Sequence, residues 1–122
     1  MGTMFAVTFV VELIFALGFL FIPGTLFGLF GVEPSPFGIV LSRLFGSALL
    51  AFCTLLWYSR KSKSTDLKTA TVRSLFLYWL ASSVFLIMAQ LSGIFNAMGW
   101  ATVVMHVGFL IWYGTFAFKK YG

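Results

Sequence analysis

Four apolar stretches, each about 20 residues long, run through this sequence with few charged side chains inside them. A helix needs about 20 mostly apolar residues to cross the hydrocarbon core of a bilayer, at a rise of about 1.5 Å per residue. Of the 122 residues, 61% are hydrophobic and 9% are charged. A soluble domain of this length could not bury so much apolar surface. We therefore predict one all-α integral membrane domain over residues 1–122, with spans at about 3–22, 38–58, 73–91 and 98–118.

The predicted fold is a four-helix bundle that runs up, down, up and down through the membrane. Pro23 and Gly24 end the first span, and Pro34 and Pro36 keep the backbone out of helix before the second. The loop between them is apolar, which predicts a short helix in the membrane interface or a re-entrant turn. Gly24 and Gly28 have the spacing of a helix contact. We interpret them instead as flexible positions, because they lie outside a long apolar helix.

The segment between the second and third spans is polar and basic. Ser64, Thr65 or Asp66 can cap the third helix there. Loops 23–37 and 92–97, on the opposite side, contain no Lys or Arg. Because basic loops stay on the cytoplasmic side, both termini are expected in the cytoplasm, at the plasma or inner membrane. The residues expected to set this topology, or to contact lipid headgroups, are Arg60, Lys61, Lys63, Lys68, Arg73, Lys119 and Lys120.

Four polar residues inside the spans form the predicted ligand site or polar core cluster: Glu12, Arg43, His106 and Gln90. A charge at mid-bilayer costs at least ~2.5 kcal/mol, so such residues normally face the bundle interior and have partners. Counted from the outer helix ends, Glu12 lies ~15 Å deep, His106 ~12 Å and Arg43 ~8 Å. Arg43 has an alternative of its own, in which its side chain snorkels to the outer surface or meets Glu33. For the cluster, two interpretations stay open. A Glu12–Arg43 ion pair locks two helices together, or these residues with His106 form a ligand or proton site.

Small and polar residues recur on one face of each span, as expected where membrane helices meet. This pattern predicts which face of each helix points inward. The predicted inward residues are Thr8, Glu12 and Ala16 on the first span; Arg43, Ser47, Ala51 and Thr54 on the second; Trp79, Ser83 and Gln90 on the third; and Thr102, His106 and Tyr113 on the fourth.

Neither a metal site nor a catalytic residue is predicted. One His and one Glu make a poor metal site, and His106 alone cannot provide both ligands of a bis-His haem. We interpret His106 as a residue hydrogen-bonded between helices, with a ligand contact or a metal shared by a symmetric dimer as alternatives. Cys53 is expected to be a packing residue. The sequence has no nucleophile–base motif, phosphate loop or nucleic-acid-binding motif, so an enzyme is less favoured and no nucleic-acid partner is expected.

The layout and two short stretches resemble the DoxX-like group of small four-helix membrane proteins. These stretches are FLFIPGTLFGLFGV at the exit of the first span and LSRLFGSALLAF in the second, where an Arg precedes a Gly. Some members of the group are described as subunits of quinone-linked oxidoreductases. The resemblance therefore implies a partner complex or a quinone.

Three functions are consistent with these observations. The favoured one is a structural or accessory membrane subunit, whose partners are the lipid bilayer and other membrane subunits or a second copy. The second is a binder of a lipophilic small molecule such as a quinone or lipid. The third is a proton or solute carrier that acts as an oligomer. A cavity at the level of Glu12, Arg43 and His106 would favour the binder, whereas a filled core with a closed ion pair would favour the structural role.

Overall fold

The computed structural model describes residues 1–120, and these residues form helices and connecting turns without a strand. α1, α3, α4 and α5 are each long and apolar enough to cross a membrane. The predicted all-α membrane four-helix bundle is confirmed, and the loop after the first span contains a short helix, α2. The helices are α1 (Gly2–Phe21), α2 (Pro23–Leu29), α3 (Pro36–Ser59), α4 (Thr65–Leu91) and α5 (Met98–Ala117).

A serine and a proline together fix the start of α3. The side chain of Ser35 accepts a hydrogen bond of 3.0 Å from the amide of Gly38. Pro36 occupies the first helical position, where its missing amide hydrogen costs nothing and its fixed φ suits the helix. The expectation that Pro36 delays the helix was therefore wrong, because this proline begins α3.

The start of α4 is set by the predicted cap at Ser64. Its hydroxyl accepts a hydrogen bond of 3.2 Å from the amide of Leu67, so the helix begins at Thr65. This start precedes the predicted span start at residue 73, because apolar composition alone does not register the polar first turns. With 27 residues, α4 is ~40 Å long against a hydrocarbon thickness of ~30 Å. Its polar turns therefore extend beyond the apolar layer.

The four long helices pack mainly as two antiparallel pairs, α1 with α3 and α4 with α5. Gly46 permits the close approach of the first pair, since a Cβ there would lie 3.0 Å from the carbonyl oxygen of Ala16. Ser42 adds a hydrogen bond of 3.1 Å to the carbonyl oxygen of Phe19. Lipid tails are as apolar as the helices, so close packing and such bonds hold the pair together.

The two ends of the bundle differ in charge. A Cβ on Gly2 would lie 3.1 Å from the carbonyl oxygen of Arg60, and Arg73 donates a hydrogen bond of 3.1 Å to the carbonyl oxygen of Ala117. The start of α1, the α3–α4 turn and the end of α5 therefore share one end, which we call the basic end. The opposite end, formed by α2 and turn 92–97, is called the α2 end.

An aromatic core fills the bundle from its middle to the basic end. Trp79 stacks on Phe109, with ring centroids 4.6 Å apart and an interplanar angle of 12°. The hydroxyl of Tyr113 donates a hydrogen bond of 2.8 Å to the hydroxyl of Thr8, and this bond joins the two helix pairs. The buried residues of this core are Met4, Phe5, Leu56, Val72, Leu75, Trp79, Phe109, Tyr113 and Ala117.

The predicted inward faces are buried on α1 and α4, and on α5 at His106 and Tyr113. On α3 the prediction was wrong. Its polar stripe is exposed, and a neighbouring face points inward because Gly46 sets the contact with α1. The exposed residues are Arg43, Ser47, Ala51 and Thr54, and the buried ones are Ser42, Gly46, Leu49, Cys53 and Leu56.

Candidate functional site

A cavity of about 410 Å³ lies between the two helix pairs, in the half of the bundle at the α2 end. The helices of each pair pack closely on one another, whereas the two pairs make few close contacts with each other. Ligand-binding cavities are typically about 300–1,000 Å³, so this one is large enough for a small molecule. The wall is almost entirely apolar and is rich in phenylalanine: Phe15, Phe19, Phe30, Phe45, Phe85 and Phe95.

Polar side chains meet the cavity at its inner end, near the middle of the bundle. Glu12 and His106 both line it, with 2% and 8% of their surfaces exposed. Counted along α1 from Phe21, Glu12 lies ~14 Å from the helix end, which is close to half of a ~30 Å hydrocarbon layer. Two of the predicted site residues are thus brought together in one cavity.

A backbone contact fixes the ring of His106. Its Nδ1 lies 2.8 Å from the carbonyl oxygen of Thr102, and because a carbonyl oxygen only accepts, Nδ1 is the donor. The ring also lies edge-on to Trp79, with centroids 5.1 Å apart. Nε2 makes no hydrogen bond to any residue from 1 to 120. A neutral ring therefore keeps one unused acceptor.

Glu12 lacks a hydrogen-bond partner for its Oε2 atom within the described part of the chain, although that atom is fully buried. Thr8, one helical turn away, cannot supply one. Its hydroxyl donates to the carbonyl oxygen of Met4 and accepts from Tyr113. The carboxyl group is therefore an unpartnered polar group at the inner end of the cavity.

The predicted ion pair between Glu12 and Arg43 is not formed. Arg43 is exposed on the outer side of α3, and its Nε donates a hydrogen bond of 3.3 Å to the carbonyl oxygen of Leu20. That carbonyl belongs to the last turn of α1, where backbone acceptors have no intrahelical donor. The guanidinium therefore stabilises the end of α1. Among the described residues, no Lys or Arg lines the cavity.

Gln90 lies at the α2 end and does not line the cavity with Glu12 and His106. It donates a hydrogen bond of 3.1 Å to the carbonyl oxygen of Asn96. Asn96 in turn joins turn 92–97 to the end of α2, because its side-chain nitrogen donates to the carbonyl oxygen of Leu29 at 3.0 Å. Its side-chain oxygen accepts a hydrogen bond of 2.9 Å from the amide of Met98, the first residue of α5. These bonds close the bundle at the α2 end.

A second cavity, of about 200 Å³, adjoins the first toward the α2 end. The two share Phe19, Phe30 and Phe95 in their walls. Phe30 and Phe95 meet edge to face, with centroids 6.0 Å apart. An elongated apolar molecule that enters the first cavity would therefore have further apolar space beyond this pair.

Two further residues considered in the sequence have structural contacts. Cys53 is a buried free thiol whose sulfur lies 3.8 Å from the carbonyl oxygen of Phe9, which fits a packing residue. The guanidinium of Arg60 lies 3.8 Å from the ring centroid of Trp57 at the basic end. Among residues 1–120, no group of three or more His, Cys, Asp or Glu side chains could hold a metal ion.

Sequence reasoning missed Tyr78 and Ser82, which line the cavity from α4. The signal was present for Tyr78. Tyrosines in membrane helices concentrate at the interfaces, whereas this one lies in the middle of an apolar span. A mid-span tyrosine on the helix that faces Glu12 could have been included in the predicted cluster.

Comparisons with protein-family models, with curated proteins and with solved structures find no match to this chain. The resemblance to the DoxX-like group therefore stays a prediction.

Proposed function

We propose that this protein binds a lipophilic small molecule inside the membrane, in the cavity between its two helix pairs. The observation that carries the proposal is the combination of an apolar cavity of about 410 Å³ with two buried polar side chains, Glu12 and His106, at one end. Natural ligand sites have this composition, because apolar walls supply affinity and a few polar groups fix orientation.

The cavity also weighs against a purely structural use of the polar residues. A residue that only locks helices together has its partner in the protein, whereas Oε2 of Glu12 has none among the described residues. A structural or accessory subunit stays a prediction, and so do a quinone or a lipid as the ligand. The protein could bind a ligand and also be a subunit of a larger membrane complex, so the two functions are compatible.

The proposal includes an orientation. The basic end faces the cytoplasm by the positive-inside rule, so the cavity occupies the half of the bundle away from the cytoplasm. Its wall is formed mainly by apolar side chains of α1, α3, α4 and α5. Such a wall suits a ligand that partitions into the bilayer.

Native mass spectrometry of the protein in mild detergent tests this function with 1-tert-butyl-4-nonylbenzene, an uncharged lipophile. We expect saturable binding of one molecule per chain. The substitution Ala89→Leu places extra volume in the cavity wall and should weaken binding by about tenfold or more, as steric misfit in an apolar pocket does.

The matched control is Ala51→Leu, which adds the same volume on the exposed face of α3 and should leave binding unchanged. If both substitutions weaken binding equally, or if neither weakens it, the probe binds outside the cavity and the proposal is contradicted. Absence of saturable binding by this probe and by a cationic probe of the same shape would contradict it as well.

A further inference from the structure

We propose that the ligand of this cavity is a lipophilic cation and that Glu12 is its counter-ion at the inner end. The inference rests on the proposed function and names the chemical class of the ligand. It begins from a charge imbalance: the cavity contains one carboxyl group and, among the described residues, no Lys or Arg side chain.

This charge imbalance matters because the carboxyl group of Glu12 is removed from water. Glu12 is 2% exposed, and its Oε2 has no hydrogen-bond partner in the described part of the chain. An unpaired carboxylate at this depth costs several kcal/mol. A ligand cation that reaches Glu12 gives the carboxylate a counter-charge, so the charged form no longer carries this cost, whereas an anionic ligand would add a second unpaired charge.

The aromatic wall favours the same ligand class. Six phenylalanines and Tyr78 line the cavity. The faces of aromatic rings attract cations, and the attraction is strongest where water is excluded, with aromatic cages for quaternary ammonium groups as the extreme case. The second cavity beyond Phe30 and Phe95 offers apolar space for a tail.

Exchange with a proton follows from the two states of Glu12. An uncharged carboxyl group without a cation and a carboxylate beside a cation are the two states that avoid an isolated charge at this depth. When the cation binds, the O–H bond breaks, the proton passes to solvent and the carboxylate remains beside the cation. The net charge of the site is the same before and after the exchange, since one monovalent cation replaces one proton.

Other titratable groups surround Glu12. They are Cys53 on α3, Tyr78 on α4, and His106 and Tyr113 on α5. Of these residue types, only histidine ordinarily titrates near neutral pH. A charged imidazolium would repel the cation, so the effects of His106 and Glu12 must be separated by substitution.

The test compares 4-nonylphenyl-trimethylammonium with 1-tert-butyl-4-nonylbenzene, which has the same shape and no charge. Affinities are measured by native mass spectrometry on the full chain in a nonionic detergent. At about pH 8 we expect the cation to bind about tenfold or more tightly than the neutral probe. The logarithm of its affinity should rise with pH with a slope near one while Glu12 is protonated, and the neutral probe should show no such slope.

Glu12→Gln keeps the shape of the side chain and removes the charge, so the affinity ratio of the two probes should fall to about one. Glu12→Asp keeps the charge and should retain part of the preference. Glu33→Gln changes an exposed carboxylate outside the cavity and is the matched control. His106→Gln should leave the slope with pH in place.

The outcomes separate the two proposals. Equal affinities for both probes in the unmodified protein, or a cation preference that survives Glu12→Gln, would overturn the cation site while the binding function stands. If neither probe binds saturably, the proposed function itself fails. A preference for the cation that depends on Glu12 and on pH supports both.

Discussion

Tyr113 on α5 donates a hydrogen bond of 2.8 Å to Thr8 on α1, in a place where both side chains are fully buried. The bond crosses from one helix pair to the other. Thr8 lies one turn from Glu12, so the same contact also fixes the height of α1 beside the cavity.

Removing this bond should destabilise the bundle. We expect Tyr113→Phe to lower the free energy of unfolding by about 1 kcal/mol, because interhelical hydrogen bonds in membranes contribute about this much. Thr8→Ala should cost a similar amount, and the double variant should cost less than the sum. Reversible unfolding in mixed micelles measures these values, with the exposed Tyr58→Phe as control. Additive effects would show that the two hydroxyls do not interact.

Arg43 and Glu12 should behave as independent positions, contrary to the ion pair expected from the sequence. Arg43 bonds to Leu20 on the outer side of α3. In a double-mutant cycle of Arg43→Gln and Glu12→Gln, the interaction free energy should lie within ~0.5 kcal/mol of zero. The same unfolding measurement applies. A coupling of 2 kcal/mol or more, about the value of a charge-assisted bond, would restore the ion pair.

Gly46 should tolerate no larger side chain. A Cβ there lies 3.0 Å from the backbone oxygen of Ala16 and 3.2 Å from Cβ of Phe19. Gly46→Val forces α1 and α3 apart, and we expect a loss of about 1–3 kcal/mol in unfolding free energy. Gly108→Ala on α5 is the control, because nothing lies within 4 Å of its Cβ. Helix propensity makes that change neutral or stabilising.

Asn96 should control the mobility of the α2 end. Asn96→Ala removes the side-chain bond to the carbonyl oxygen of Leu29 and the bond from the amide of Met98. We expect faster amide hydrogen exchange in α2, while the amides of the aromatic core near Trp79 exchange as before. The control is Ser92→Ala, whose hydroxyl bonds only within its own turn, to Met88. The amide of Asn96 also donates a hydrogen bond of 2.9 Å to the carbonyl oxygen of Phe30. Unchanged exchange in α2 would show that this backbone bond alone holds the turn.

The proposed orientation can be checked with single cysteines. Ser62→Cys at the basic end should be labelled by a membrane-impermeant maleimide only after the membrane is opened. Ser92→Cys at the α2 end should be labelled in intact cells. Cys53 is buried and can be replaced by Ala to remove background. The reverse labelling pattern would invert the proposed topology.

The sequence predicted the number of membrane helices because the apolar stretches are long and the bilayer thickness is fixed. It also placed Glu12 and His106 in the interior, since hydrocarbon penalises an outward charge. The direction in which the side chain of Arg43 points was harder to predict. Its long side chain can satisfy the penalty either inward or by reaching the end of α1, and hydropathy does not distinguish the two.

The cavity itself could not be predicted from the sequence. Its volume depends on how far the two helix pairs separate at the α2 end, and that separation follows from side-chain packing over the whole bundle. The inward face of α3 depended on one residue without a side chain, Gly46, whose effect is visible only once Ala16 is opposite it.

The aromatic core and the cavity lie at different depths along the same helices. Tolerance to substitution should therefore be low at the depth of the core and higher at the depth of the cavity. Residues such as Ala81 and Ala89 face empty volume, so changes there alter what fits without removing the contacts that keep the chain folded. Ligand preference in such a molecule can diverge through single replacements, with little accompanying loss of stability.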